Sequence, residues 1–572
     1  MKIKELLTVL TVLNLPLATV AQPASRPVYF NQSDGTSRVV WFSDIDSALF
    51  AADNTYGTFF MSAGRSSASY SLTSYLDSIT FATPAGGIAV SDFPQSADFD
   101  VVFDSSDENS WTSVSEKVVV DEDNSEYDDF YENFTPKSSI TIVYQNGKAT
   151  PDKTVDGVEI SVSGAHVTVT SQQKMRYILK GTSTDGSFKV NCPTDPSTGR
   201  PDKKYDKKML IELNGLDLTN PNGSAINIQS GKSVYVKLAS GTVNKLKDGV
   251  QYVSVSDEDQ KSTLFSEGQL IISGSGSLTV TSLSAHGICS DDYIRLRSDL
   301  GNLTVTSASD GINTKQHFLM YGGKVSLNAG DDGISVRKGW FRQMGGKLKI
   351  TSADKGVDVT YSSNDTTYFD MQGGFLKVET TGEKGHGISC SGRMDVSNAI
   401  LQILVKGNAS KAINCYGNLT FASSKLTLQT QGSSIYNDEE KDYSSAAGIR
   451  SRGKLAISDC VLGIKSTGAG GKGINGDGNV SFSGTSATIL AKGSLSAQGG
   501  ESVRPRALEC VGLTVSSGCI LNLSATHSSI SNDGFFNLRG GEVFAFSSDE
   551  SVKIVKTKET FTQSGGLLYE SR

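Results

Sequence analysis

Asp310-Gly311-Ile312, Asp332-Gly333-Ile334 and Lys355-Gly356-Val357 are three copies of one phrase that recurs along the second half of this 572-residue chain. Successive glycines, from Gly287 through Gly311 and Gly333 to Gly356, are 24, 22 and 23 residues apart. That period is the length of one coil of a β-solenoid. Further copies, some of them degenerate, are His286-Gly287-Ile288, His386-Gly387-Ile388, Lys411-Ala412-Ile413, Ala447-Gly448-Ile449 and Lys472-Gly473-Ile474.

Each repeat also contains a strand in which apolar and polar residues alternate, which is the pattern of a strand with one buried face. The copies are Gly276–Val280, Gly301–Val305, Gly323–Leu327, Gly346–Ile350 and Gly374–Val378. A further column, Phe318, Phe341 and Phe369, lies four residues before a Gly-Gly pair in three consecutive repeats. Equal offsets predict that these rings stack in the interior about 4.8 Å apart. The pattern predicts an all-β solenoid of about twelve coils.

Composition and charge limit the classes of ligand that the protein is expected to bind. Hydrophobic residues make up 37% of the chain, with 59 Gly and only 12 Pro, as expected for an all-β protein. The net charge of −8 and the absence of a Lys/Arg-rich run argue against a nucleic-acid partner. An acidic protein of this kind is compatible with neutral sugars or divalent cations as ligands.

Four segments are predicted along the chain. Residues 1–21 have the basic start, short apolar run and small-residue end of a cleaved export signal, which predicts a secreted protein, whether extracellular, at the cell surface or periplasmic. Residues 22–97 form a small β-rich N-terminal segment. Residues 98–137 are predicted to be a solvated acidic linker, because thirteen of the thirty-five residues from Asp98 to Glu132 are Asp or Glu. Residues 138–572 form the solenoid, and no later apolar run is long enough to span a membrane.

The seven cysteines contain no Cys-x-x-Cys pair and no metal-type spacing. Cys390 and Cys415 occupy equivalent repeat positions and are expected to stack in neighbouring coils. A disulfide is one interpretation of this pair in an exported protein, but a buried column of small side chains is favoured.

Several phrases upstream of the main repeat carry a family resemblance. They are Leu213–Asn220, Ser224–Lys232, Gly241–Asn244, Leu264–Leu270 and His286–Ile294. These residues resemble a bacterial secreted carbohydrate-binding domain family with a pectate-lyase-like fold, over roughly residues 138–480. The resemblance implies a right-handed parallel β-helix that binds calcium and cellulose-like or acidic polysaccharide.

Acidic residues fall in equivalent turns of neighbouring repeats. Asp310 and Asp332 share one column, and Asp331 and Asp354 share the adjacent one. Stacked carboxylates repel, and a calcium ion with its six to eight oxygen ligands would relieve that repulsion. The alternative is a set of solvated turns balanced by Lys355. The predicted calcium ligands are Asp310, Asp331, Asp332 and Asp354, with Asp291 and Asp292 one coil earlier.

A second column, His317, Trp340 and Tyr368, precedes the interior phenylalanines by one residue and is therefore predicted to face outward. Exposed flat side chains suit stacking against sugar rings. Arg342, Asp370 and the adjacent Gln372 would bind hydroxyl groups. The alternative is that these aromatic side chains only cover a neighbouring loop.

The leading functional hypothesis is a non-catalytic, calcium-dependent polysaccharide-binding protein, for which no catalytic residues are predicted. One alternative is a polysaccharide lyase, with Lys338 or Lys355 as the base beside the acidic cluster, or a hydrolase on the same fold. A second alternative is an adhesin or structural spacer.

Overall fold

A computed structural model describes residues 96–193, 206–255, 258–360 and 367–571, positions 195, 197, 198 and 202, and six strands between residues 27 and 80. The predicted export signal lies outside these residues. Within them, helix is limited to 3-10 turns at Ser96–Asp98, Ser105–Asn109, Tyr127–Asp129 and Tyr131–Asn133. None of the helices in this part of the chain has the length and apolar character of a membrane span. The all-β prediction is confirmed.

The chain divides into two units, which we name by their place in the sequence. The central unit comprises residues 104–406 and 414–417, and the terminal unit comprises residues 1–103, 407–413 and 418–572. Each is built from parallel strands that pair with the equivalent strand of the next repeat, so every repeat buries its apolar residues against its neighbours.

The central unit contains three ladders of parallel strands. The Gly-Ile ladder begins with the antiparallel pair Val158–Ser163 and Ala165–Ser171 and continues in parallel through Gly186–Asn191, Ile226–Ile228, Ser262–Ser266, His286–Ser290, Ile312–Thr314, Ile334–Val336, Val357–Val359 and Ile388–Cys390. The aromatic ladder is Val234–Leu238, Leu270–Ser273, Ile294–Leu296, Phe318–Met320, Trp340–Gln343, Tyr368–Met371 and Arg393–Ser397. The Lys-Thr ladder is Val243–Lys247, Ser277–Thr281, Asn302–Ser307, Lys324–Ala329, Lys347–Ser352, Phe375–Thr380 and Ile400–Val405.

The long strand Met209–Thr219 pairs with both the aromatic and the Lys-Thr ladder. It is preceded in the same sheet by Met175–Ser183 and Ser138–Gln145, and Lys148–Pro151 adds an antiparallel edge. The sequence prediction of strands from residue 138 onward is therefore confirmed.

The repeat register places like residues above one another. Phe318 pairs with Phe341, which pairs with Phe369. All three are fully buried, and their rings stack with centroids 5.3 and 4.6 Å apart. The predicted interior column is confirmed.

The close approach of neighbouring repeats explains why the repeated phrase contains glycine. A Cβ atom on Gly333 would lie 2.2 Å from Cγ2 of Ile350 and 2.5 Å from the carbonyl oxygen of Gly356. Gly311 meets the Gly333 carbonyl in the same way, at 2.7 Å. Each glycine therefore lets the backbone of the next repeat approach closely, which a larger residue would prevent.

The terminal unit continues the same three-strand pattern. Its parallel strands are Ala447–Ser451, Lys472–Gly476, Leu508–Cys510, Ile530–Asn532 and Val555–Thr557; Leu419–Ala422, Leu455–Ser458, Val480–Ser483 and Leu513–Val515; and Lys425–Thr430, Val461–Ser466, Ser486–Ala491, Ile520–Ala525, Phe536–Ser547 and Phe561–Ser571. The six N-terminal strands, Pro27–Gln32, Ser37–Trp41, Ile45–Phe50, Tyr56–Met61, Ala68–Ser71 and Leu76–Thr80, pair antiparallel.

The longest repeats of the terminal unit carry their extra residues as β-hairpins. Ile435–Asn437 pairs with Asp442–Ser444, and Ser496–Gln498 pairs with Glu501–Val503.

The seven cysteines, all within the described residues, form no disulfide, and six of them are buried. Burial raises the pKa of the Cys390 thiol to about 12 and that of Cys415 to about 11. The pair therefore lies in the column of small buried side chains that the sequence favoured over a disulfide.

The acidic segment differs from the solvated linker that its composition predicted. We call residues 104–134, which belong to the central unit, the strap. Phe130 is 1% exposed, and the Glu116 side chain is 1% exposed where it meets Arg295 and Arg297. The Glu116 carboxylate is thus paired with two arginines that lie far along the chain, which composition alone does not reveal.

Candidate functional site

Three of the predicted calcium ligands lie together. Asp331, Asp332 and Asp354 each offer a carboxylate oxygen, and these oxygens lie within 4.8 Å of one another. Asp331 is exposed, Asp354 is half-buried and Asp332 is 8% exposed. Turns between ladder strands hold them side by side, because their glycines are in register. The site thus offers a partly solvated set of oxygens of the type that hard cations prefer.

Lys355 is the internal counterion of this cluster. Its Nζ lies 2.6 Å from Oδ2 of Asp354 and 3.8 Å from Oδ1 of Asp332, and its backbone N–H donates to Asp332 Oδ1 at 2.9 Å. Burial raises the pKa of Asp332 to about 7 even though Lys355 opposes the shift. One ammonium is therefore insufficient to hold every carboxyl of the group fully ionised at neutral pH.

Asp310 is adjacent but has its own partners. It is 5% exposed, accepts a 2.6 Å hydrogen bond from Asn313 Nδ2, and lies 3.3 Å from Nδ1 of His286. Its second oxygen accepts from the backbone N–H of Asp332 at 3.3 Å. Asp310 thus supports the turn that carries Asp332, while its own oxygens are already hydrogen bonded.

Asp291 belongs to a different group. Its carboxylate and those of Asp259 and Glu267 lie within 4.8 Å of one another. Lys261 and Arg337 already contact Asp291, at 2.8 and 3.0 Å. Asp292 follows it and accepts a hydrogen bond from the side chain of Gln269. Asp259 and Glu267 were not among the ligands predicted from the sequence.

The register could have revealed Glu267. Ser266 pairs with Ser290, so Glu267 follows one strand as Asp291 follows the next. Counting one residue beyond the strand end would have placed the two carboxyls together.

The predicted aromatic column is a stack of rings. Tyr293, His317, Trp340 and Tyr368 follow one another with centroid separations of 4.3, 4.2 and 5.5 Å and interplanar angles of 12°, 10° and 5°. All four side chains are half-buried. The guanidinium of Arg393 lies over the Tyr368 ring at 4.6 Å. Neighbouring rings therefore cover the flat faces that were expected to receive sugars.

Arg342 and Asp370 form an ion pair beside this stack. Arg342 Nε donates to Asp370 Oδ2 at 2.8 Å, and its Nη2 lies 3.1 Å from the Tyr368 hydroxyl. Asp370 is 6% exposed and also accepts from Gln372 Nε2 at 2.9 Å. The polar atoms predicted to bind sugar hydroxyls are thus bonded to one another.

An open groove on the Lys-Thr ladder was missed by sequence reasoning. Its volume is about 390 Å³, and it spans four consecutive strands. Its floor is the outward face of those strands, because their alternate residues, Val305, Leu327 and Ile350, point into the interior. The polar side chains that line it are Thr304, Thr306, Ser326, Asn328, Lys349, Thr351, Lys377 and Glu379.

The alternation that produces the groove is visible in the sequence. Taken alone, it indicates only a strand, because Thr, Ser and Lys are common on outer strand faces. In register, however, it yields two parallel rows: Thr304, Ser326, Lys349 and Lys377 in one, and Thr306, Asn328, Thr351 and Glu379 in the other.

The class that fold and site define is therefore an all-β protein of stacked parallel repeats with a polar groove and acidic turns. Comparisons with known proteins find similarity to proteins described as carbohydrate-binding. Residues 163–403 match a family model described as a carbohydrate-binding domain-containing protein. A protein of the same description from Acetivibrio thermocellus is 30% identical over 166 residues, which are 29% of this chain and 52% of that protein. The match thus spans about half the length of this relative.

A solved structure, described as the polysaccharide lyase-like protein from C. thermocellum in a gadolinium derivative, is similar at 23% sequence identity with a TM-score of 0.36. The alignment covers 50% of this chain and 96% of that one.

Proposed function

We propose that this protein is an exported, non-catalytic polysaccharide-binding protein whose repeats wind as a right-handed parallel β-helix. The observation that carries the proposal is the groove on the Lys-Thr ladder, which lies within the residues that match the carbohydrate-binding family model. A parallel ladder repeats its outward hydroxyl, amide and ammonium groups about every 4.8 Å. A linear glycan offers hydroxyl groups along its whole length, so a row of such donors and acceptors suits it.

A linear glycan can contact the ladder at many positions along its length, so this mode of binding does not require a deep cavity. Polar contacts distributed along a shallow groove each contribute modestly, and their sum gives affinity for a polymer rather than for a monosaccharide. Cellulose-like and acidic polysaccharides are the partners we propose. Lys349 and Lys377 would favour the acidic class, while the threonines and Asn328 serve either class.

Variants of exposed groove residues test this assignment. Thr351→Ala and Asn328→Ala remove side chains that line the groove and are exposed, so the fold is expected to persist. Thr279→Ala is the matched control, because Thr279 is an exposed threonine of the same ladder, in register with Thr304, but outside the groove.

In a glycan-array assay followed by calorimetric titration, the groove variants are expected to lose affinity roughly two- to tenfold, which corresponds to about 0.5–1.5 kcal/mol for one hydrogen bond. The control is expected to bind as the parent does. Equal affinity in all three variants would place the ligand elsewhere. Ultraviolet absorbance of an unsaturated uronide product would indicate the lyase alternative, and absence of binding and of product would favour an adhesin or spacer.

Calcium is proposed as a structural ion at Asp331, Asp332 and Asp354. The support is the convergence of three carboxylates with a single ammonium, and the pKa of Asp332, which burial raises to about 7. A divalent cation would favour the ionised form of all three groups. The residues fit a hard cation, because each offers oxygen and Asp331 is open to solvent.

Calorimetric titration and melting with and without chelator test the calcium proposal. Asp354→Asn should abolish a calcium-dependent rise in melting temperature, whereas Asp217→Asn, a change at a solvated carboxyl paired with Lys245, should leave it intact. Absence of calcium binding in the parent protein would reject the proposal.

A further inference from the structure

The strap runs along the outward faces of successive repeats in the central unit. Near its C-terminal end, Phe134 packs with Leu210, Tyr235 and Ile271. In its middle, Glu116 contacts Arg295 and Arg297.

Nearer its N-terminal end, the backbone oxygen of Thr112 accepts from Gly346 N–H at 3.2 Å. Beyond that point, Glu108 reaches three lysines of the Lys-Thr ladder. The strap is therefore anchored by apolar packing at its C-terminal end and by polar contacts at its N-terminal end, where the buried Gln402 Nε2 donates to the buried Asp107 at 3.0 Å.

Glu108 is bound by three ammonium groups. Its carboxylate oxygens lie 3.1 Å from Nζ of Lys347, 3.0 Å from Nζ of Lys349 and 3.0 Å from Nζ of Lys377. Hydrogen bonds from Lys349 and Lys377 lower the pKa of Glu108 to about 2. Three positive charges and one negative charge leave a net surplus of two positive charges at this point. It is a carboxylate-binding site that is filled from within the chain.

The same lysines belong to the groove. Lys349 and Lys377 line it, and their side chains remain 40% and 35% exposed while they contact Glu108. A ligand lying in the groove is thus next to the two ammonium groups that Glu108 already contacts. Any carboxylate on that ligand competes with Glu108 for the same hydrogen-bond donors.

We infer that the N-terminal part of the strap, residues 104–112, is an autoinhibitory cover. Glu108 occupies the position that an anionic group of a bound glycan takes, and binding releases this part of the strap while the section from Glu116 to Phe134 stays attached. The inference rests on the proposed polysaccharide-binding function and adds its regulation. The cover makes binding depend on the number of anionic groups that the ligand carries. A single anionic group displaces Glu108 poorly, whereas a polyanion that also fills the groove displaces it readily.

Glu108→Gln in the full chain tests the cover. The amide has no charge and binds three ammonium groups weakly, so the lysines become available to ligand. Titration with an oligouronide should show affinity raised roughly three- to tenfold, as expected when ion pairs of about 1 kcal/mol no longer compete. A neutral cello-oligosaccharide of equal length should bind within twofold of the parent. Glu122→Gln is the matched control, because Glu122 is an exposed strap residue outside the lysine cluster.

Hydrogen exchange gives an independent readout. In the parent protein, saturating oligouronide should accelerate exchange in peptides that cover residues 105–112, while peptides around Phe134 stay protected. In the Glu108→Gln variant, the first region should exchange quickly even without ligand. Lys349→Gln combined with Lys377→Gln in the Glu108→Gln background should remove the gain in oligouronide affinity.

Two results distinguish failure of the proposed cover from failure of the proposed function. If the oligouronide binds the parent and Glu108→Gln with equal affinity, and exchange in residues 105–112 is unaffected by ligand, the cover is refuted while polysaccharide binding stands. Circular dichroism should show that Glu108→Gln is folded as the parent is. If no glycan then binds either protein, the proposed function is refuted, and the cover is refuted with it.

Discussion

Glu116→Gln is expected to detach the strap, because this carboxylate is the most completely buried acidic partner of the two arginines. The side chains of Glu116 and Arg295 are both 1% exposed. Glu116 Oε1 accepts from Nη2 and Nε of Arg295 at 2.8 and 3.1 Å. Oε2 accepts from Nε of Arg297 and from the backbone N–H of Ser298, both at 2.7 Å. Four donors therefore converge on one carboxylate.

The size of the expected loss in free energy follows from the hydrogen bonds that an amide at this position cannot accept. Gln offers one acceptor oxygen in place of two, and its NH2 group then faces N–H donors without an acceptor. Breaking one side of a buried ion pair costs about 3–5 kcal/mol. The lower end applies here, because Asp129 still contacts Arg295, at 2.5 Å. We therefore expect the free energy of local strap opening to fall by about 3 kcal/mol, which accelerates exchange roughly 100-fold.

Native-state hydrogen exchange is the appropriate assay, because long repeat proteins lose two-state cooperativity and a single unfolding free energy is not defined for them. The amides to follow are Val114 N–H, which donates to the Tyr321 carbonyl at 3.4 Å, and Gly346 N–H, which donates to Thr112. Glu122→Gln is the control and should change exchange less than threefold. An increase below tenfold in Glu116→Gln would refute the idea that the arginine pair holds the strap.

Three further outcomes are expected. The pKa of Asp332 is raised in the folded state, so the folded state binds more protons than the unfolded state between about pH 4 and 7. The melting temperature should therefore fall as pH rises through that window. Asp332→Asn should make the melting temperature depend less on pH. Trp340→Ala and Tyr368→Ala should each lower stability by about 0.5–1.5 kcal/mol per lost ring contact with glycan affinity unchanged within twofold, and a tenfold loss in affinity would restore the predicted aromatic sugar site. Gly333→Ala should lower the melting temperature of the central unit, because its Cβ would overlap Ile350; an unchanged melting curve would show that the neighbouring repeat yields without cost.

Much of the repeat was predictable from the sequence because its determinants are local. A glycine every two dozen residues and an alternating strand after it define the register, and the register defines which residues share a column. Phe318 and Phe341 are in the predicted interior column for this reason. The stacking of Trp340 on Tyr368 follows from the same arithmetic, since the 4.8 Å spacing of strands is close to the spacing of stacked rings. The prediction of free ring faces overlooked that consequence.

The strap was not predictable in the same way. Its charge predicted solvation, yet Glu108 lies 239 residues before its first lysine partner and Glu116 lies 179 residues before Arg295. No local pattern encodes contacts of that range. The sequence signal lies in the partners of the strap: Arg295 and Arg297 flank the inward Leu296, so alternation turns both arginines outward, Arg297 one residue beyond the end of the strand.

A ladder of parallel strands has a general electrostatic consequence that links the two candidate ligand sites. Identical apolar or aromatic side chains gain contact by stacking, but identical charges at the same spacing repel and require a counterion. Against Lys349 and Lys377, which share a column, and the nearby Lys347 the chain supplies Glu108, and in the three-aspartate turns it supplies Lys355. Each counterion carries one charge against three, so a surplus of two positive charges remains at the first site. A surplus of two negative charges remains at the second when Asp331, Asp332 and Asp354 are all ionised. The proposed ligands, an anionic glycan and a divalent cation, would neutralise these opposite surpluses.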